Sequence, residues 1–272
     1  MKKLFASACA LMMVGLSYGQ ANVDLSNQLG NLNNGVVNQT GSVNFNGLDQ
    51  NGNRNNATID QVGIGNVNNA LSQGNRNNID VDQFGIANVN KTEQFGNRNS
   101  ATTNQWGIGN EVDQKQTGNR NMVDAVQIGF DNYTWQRQNG NRNDASAFQF
   151  GMDNESWQQQ EGNRNTADAT QIGADNLLGQ YQEGNRNDAT IMQMGNTNYS
   201  YSLQYGNDNV VMGLQVGDSN YLSQFQDGDN NFASDVQLGD NNTRFVTQTG
   251  SSHVHFGSQI GNGNTLSTTQ SN

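Results

Sequence analysis

The sequence contains no proline, so no segment is barred from strand pairing by a missing backbone donor. Its one cysteine is Cys9, close to the N-terminus, which leaves the rest of the chain without disulfides. Only two histidines are present, His253 and His255. A pair two residues apart is a poor start for a metal site, so it is read as structural. No apolar run beyond the first residues approaches the length of a membrane span. Cations are scarce: 13 Lys and Arg stand against 24 Asp and Glu. Such a balance argues against nucleic-acid binding, which asks for a basic surface. Apolar residues make up 32%, too few for a thick globular core but enough for a thin layer between two facing sheets.

Residues 1–19 read as a secretory signal. Lys2 and Lys3 supply the positive start, Leu4 to Leu16 are mostly apolar, and Ser17 and Gly19 precede a cut near Gln20. Cys9 lies inside the apolar run, ahead of more apolar sequence, which argues against a lipoprotein anchor. Removing Lys2 and Lys3 lowers the basic count from 13 to 11 and leaves a net charge of −13, which favours solubility during export.

What the chain has is a ruler. Counting in elevens from Gln28 to Gln270 gives 23 positions, and all but Ser72 are Gln. The positions two later, Gly30 to Gly261, are all Gly, and those five later, Asn33 to Asn264, are all Asn except His253. Disordered composition does not demand an unbroken period. Gly permits positive φ and marks a turn. The five residues between Asn and the next Gln make about one strand. In that stretch Asn143, Ala145, Ala147 and Gln149 share a face. A helix would need a 3.6-residue period and would be weakened by the recurring glycine.

The two half-repeats differ. One turns through Gly-Asn-Arg-Asn, as at Gly140; the other carries an apolar residue after Gln, as Phe150 does before Gly151. The unit is thus a 22-residue rung of strand, turn, strand, turn. The expected fold is all-β, a β-solenoid of about 11 stacked rungs forming two facing, parallel, in-register sheets. Identical slots then stack at roughly 4.8 Å, where side-chain amides can bond up and down a column. The expected ladder comprises Gln50, Gln61, Gln83, Gln94, Gln105, Gln116, Gln127, Gln138, Gln149, Gln160, Gln171, Gln182, Gln193, Gln204, Gln215, Gln226, Gln237, Gln248 and Gln259, together with Asn143 and Asn154.

These motifs resemble the curlin repeat: Gln-x-Gly-x-x-Asn, a small or apolar residue two after Asn, and Gln closing the unit. Curlins are the subunits of bacterial curli fibres. The resemblance covers residues 28–272 and implies a β-solenoid that polymerises into extracellular amyloid for biofilm matrix, adhesion and colonisation. It also implies partners: further copies of the chain, a dedicated outer-membrane secretion channel and a nucleator subunit. The mature curlin N-terminus addresses that channel, so residues 20–27 form a candidate leader within a candidate targeting segment, residues 20–42; a frayed first rung explains the same residues. The major curlin subunit commonly uses Ser in one half-repeat where this chain keeps Asn. The choice between main subunit and minor, nucleating subunit therefore stays open.

Inner positions can be paired across the sheets. The slot seven after Gln in one strand should meet the slot nine after Gln in a neighbour. The rule pairs Gly213 with Leu222, Gly257 with Leu266, Ala145 with Gln158 and Ala167 with Gln180, so that small faces large. It also pairs Asp235 with Arg244, the only Asp and Arg in these slots, as a buried ion pair. Outward positions include Asp60, Asp80, Asp82, Asp124 and Asp168, which would restrain premature aggregation. An aromatic column from Tyr133 to Phe245 reads equally as adhesive surface and as internal stacking. The Arg54 to Arg186 column reads as a solvated corner or as a stripe for an anionic polymer. No cap is evident after Asn272, and an uncapped solenoid offers its last strands to another subunit.

Catalytic sets, metal clusters and cofactor motifs have no candidate. Gly63–Gly65 and Gly107–Gly109 recur as turn chemistry rather than as nucleotide loops. The competing classes are a monomeric β-solenoid that binds a surface, and a β-helix polysaccharide enzyme. The first would be supported by a flat threonine array, the second by long loops, and the sequence shows neither.

Overall fold

The computed structural model describes residues 21–272; the expected signal, residues 1–19, lies outside the described residues. Strand follows strand throughout: β1 (Val23–Leu29), β2 (Asn34–Ser42), β3 (Phe45–Asn53), β4 (Asn56–Ile64), and in the same rhythm to β22 (Val254–Ile260) and β23 (Thr265–Ser271). Odd-numbered strands form a 12-stranded sheet and even-numbered strands an 11-stranded one. Every pairing is parallel and offset by 22 residues, as in Val23 opposite Phe45, Gln138 opposite Gln160 and Thr243 opposite Thr265. The fold is the β-solenoid expected. Pairing begins at Val23, inside the segment set apart as a leader, with Asp24 accepting a 2.7 Å hydrogen bond from Asn46 Nδ2.

Alternation explains the layers. In β12 (Asp144–Met152), Ala145, Ala147 and Gln149 are buried, while Asp144, Ser146 and Phe148 point away from the interior. The apolar layer is thin and local. Ala101, Val123, Ala145 and Ala167 form one cluster, and Ala147, Ala169, Leu178 and Ile191 another. Between such clusters the interior is filled by glutamine and asparagine.

At either end of the stack the corners take four residues, and from Ser42 to Val210 each takes two. The first lies in the left-handed region, with φ of 60° at Arg142, 53° at Asp153 and 67° at Gly65. The ladder does not lapse there: Arg142 N donates to Asn119 O at 3.0 Å and Asp144 N to Asn165 O at 2.9 Å. The repeat glycine does something different from what its spacing suggests. It sits before the corner, with φ of 134° at Gly140 and 131° at Gly151, a region that only glycine occupies readily. A Cβ there would overlap the carbonyl oxygen of the glycine one rung on, Gly162 or Gly173. The glycine is needed for backbone conformation and for rung-to-rung approach together.

Candidate functional site: amide ladders, a buried charge cluster and the ends of the stack

The glutamines of the ruler point inward and are buried along nearly the whole stack. Each Nε2 donates to the Oε1 of the glutamine 22 residues later. Gln138 reaches Gln160 at 2.8 Å, and Gln149 reaches Gln171 at 2.8 Å. One column runs through Gln61, Gln83, Gln105, Gln127, Gln149, Gln171, Gln193, Gln215, Gln237 and Gln259. The other runs through Gln94, Gln116, Gln138, Gln160, Gln182, Gln204, Gln226 and Gln248. The same Nε2 also donates across to the facing sheet: Gln138 to Met122 O at 2.8 Å, Gln149 to Tyr133 O at 2.9 Å. One amide therefore ties successive rungs and both sheets, satisfying groups that would be costly to bury alone.

The asparagines run the other way. Asn143 N donates to Asn121 Oδ1 at 3.0 Å, and Asn154 N to Asn132 Oδ1 at 3.2 Å. Their Nδ2 groups donate forward to Gly162 O and Gly173 O, both at 2.9 Å. Gly140 and Gly151 carbonyls accept in the same manner from Asn121 and Asn132 at 2.9 and 3.1 Å. Asn and Gly thus form one unit at each corner.

Ser72 breaks a column. Gln50 keeps its bond to Asn34 O at 3.2 Å, but among the described residues Ser72 Oγ and Gln94 Oε1 find no partner. A further ladder was missed on sequence. Gln114, Gln136, Gln158 and Gln180 link at 3.0, 2.8 and 2.9 Å and stop at Ser202. Its signal was present, four glutamines at successive 22-residue intervals in the slot nine after Gln.

Asp235 and Arg244 meet in the interior, each 1% exposed, with Arg244 Nε against Asp235 Oδ1. Gln224 Nε2 donates to Asp235 Oδ2 at 2.8 Å. His255 Nε2 lies 3.0 Å from Asp235 Oδ1 and 2.6 Å from Arg244 Nη2. His255 was not expected there, although it occupies the inner slot seven after Gln248. Arg244 fills the space beside Gly257, whose nearest neighbours are Arg244 and Asp235 rather than Leu266. Leu222 packs on Gly213. Gln158 reaches Ser146 O and Ala167 O, and Gln180 reaches Asp168 O and Ala189 O, so each large side chain spans two rungs of small residues.

The outward aromatics stack along the sheet. Ring centroids are 5.3 Å apart for Tyr133–Trp157, 5.6 Å for Trp135–Trp157 and 5.4 Å for Tyr221–Phe245. Among the described residues no group of three His, Cys, Asp or Glu side chains is placed to hold a metal.

β1, β2, β22 and β23 each pair on one side only. The two ends differ. Gln259 and Gln270 present Nε2 donors that reach back to Thr243 O and Val254 O at 3.0 Å. Gln28 and Gln39 present Oε1, their Nε2 groups being committed to Gln50 and Gln61 at 2.9 and 2.7 Å.

The curlin associated repeat matches residues 184–212 and 217–250. No curated protein matches the chain. Both matched stretches lie in phase with the 22-residue register that runs from β1 to β23, so this part of the chain is similar to the curlin associated repeat.

Proposed function

We propose that this chain is a secreted structural subunit that polymerises end to end into curli-like extracellular amyloid fibres at the bacterial cell surface. Such fibres would serve biofilm matrix, adhesion and colonisation. The observation that supports this reading is the polarity of the ladders. Glutamine donors point out of one end and glutamine acceptors out of the other, so a second copy can continue both the sheets and the columns. A heterologous contact of this kind propagates instead of closing. Residues 1–19 would direct export, residues 20–27 would address a secretion channel, and a nucleator subunit would start growth.

The test uses the chain purified without residues 1–19 in denaturant and then diluted. Thioflavin fluorescence should rise after a lag, and sonicated fibres should abolish the lag. Diffraction should show a reflection near roughly 4.8 Å. A lasting soluble monomer would contradict the proposal and favour a surface-binding solenoid.

A further inference from the structure

The solenoid has two narrow edges of opposite charge. One carries Arg54 and every 22nd residue up to Arg186, all exposed. The other carries Asp131, Asp153 and Asp175, exposed at the same levels of the stack. The arginines sit where arginine is a poor local choice. Each lies at φ of 58° to 60°, a region that asparagine and glycine enter far more readily. Other corners of this chain use those residues, with Gly65, Gly109, Asn230 and Asn241 in the same conformation. The arginine column is therefore not explained by the turn. Nor is it explained by internal pairing: Arg186 bonds Asp208, but among the described residues the arginines from Arg54 to Arg164 make no ion pair.

We infer that neighbouring stacks associate side by side, the arginine edge of one seating against the Asp131, Asp153 and Asp175 edge of the next. This rests on the fibre reading above. The partner is a second copy because its acidic column has the same rung spacing as the arginine column. Three guanidinium levels can then face the three carboxylate levels, a match that recurs once per subunit along the fibre. The acidic edge also suits arginine stems. Phe130 and Met152, next to Asp131 and Asp153, are about half exposed at 50% and 48% and offer apolar and aromatic surface to an aliphatic stem and its guanidinium. Crowding on the acidic edge points the same way: burial, and then the Asp175 and Asp131 carboxylates, push the Asp153 carboxyl above its ordinary value. Facing cations would relieve that repulsion.

The experiment compares wild-type fibres with two variants, R120Q/R142Q/R164Q and D131N/D153N/D175N, by electron microscopy of bundle width. Each variant should grow single fibres with the wild-type axial repeat but with bundles at least two-fold thinner. Mixing preformed fibres of the two variants should restore wide bundles, since each retains the edge that the other lacks. R120K/R142K/R164K should bundle like wild type, and high salt should disperse wild-type bundles. Variants that bundle normally, or mixtures that stay dispersed, would overturn the inference. Bundling that appears only on adding heparin would assign the arginine edge to an anionic polymer and overturn it too. Absence of any fibre in the wild type would instead defeat the polymer reading, and this inference with it.

Discussion

Replacing Ser72 with Gln should stabilise the stack. The column is interrupted there alone, and the interruption leaves Gln94 Oε1 and Ser72 Oγ buried without partners. Backbone register is unbroken through the site, with Ser72 opposite Gln50 and Gln94. A glutamine at 72 would accept from Gln50 Nε2, donate to Gln94 Oε1 and reach the carbonyl of Asn56, as its neighbours do 16 residues back. Three such bonds contribute about 1 kcal/mol each. One added methylene contributes about 0.8 kcal/mol. Ordering the longer side chain costs about 2 kcal/mol. The balance is about 2 kcal/mol in favour of the variant. With a urea slope of about 3 kcal/mol per molar for a chain of this size, the unfolding midpoint should rise by roughly 0.6 M. Equilibrium urea unfolding of the freshly desalted chain, followed by circular dichroism, measures this. A midpoint that stays put or falls would refute the reasoning that a glutamine column is built of additive, individually favourable contacts.

Removing one partner of the inward ion pair, Asp235→Ala, should cost about 3 to 5 kcal/mol by leaving Arg244 buried without its carboxylate. D235A/R244L should lose less, and a double variant as damaged as the single one would show that the charges do not act as a pair. Gly151→Ala should cost about 3 kcal/mol or more, through its positive φ and the overlap with the Gly173 carbonyl; near-wild-type thermal stability would argue that the corners relax easily. Acidification should strengthen the fold. Burial raises the Asp124, Asp144 and Asp188 carboxyls above 3.8, with like charge from Asp168 adding to the shift at Asp144 and Asp188. A raised carboxyl binds its proton more tightly in the folded chain, so this contribution is complete below 3.8 and is lost as pH rises through the raised values. Urea midpoints should therefore be higher near pH 4 than at pH 7, and the reverse order would mean that other groups dominate.

Much of this architecture is legible before any coordinates, because a fixed register converts sequence spacing into spatial stacking. Gln149 and Gln171 are 22 residues apart and so they touch. Asp235 and Arg244 could be paired for the same reason, since two sheets leave few ways to face each other. What was not legible depends on side-chain reach. His255 joins the charge cluster because an imidazole spans a gap that its slot alone does not reveal. Gly257 stands beside Arg244 rather than Leu266 because a guanidinium is long enough to enter the space above it. The left-handed arginines escaped notice because spacing assigned the turn to glycine, and the corner lies two residues further on. The start of pairing at Val23 is hidden because a parallel ladder uses backbone groups and needs no glutamine slot.

The central claim is that coils line up every 22 residues within a molecule and that the next molecule carries the alignment on. A cryo-electron microscopy map of the fibre that resolves the junction between subunits tests it most directly. The account predicts parallel strands at one spacing of roughly 4.8 Å across the junction, with the glutamine columns of one chain running into those of the next. A junction with a gap, an antiparallel strand pair or laterally displaced columns would contradict it.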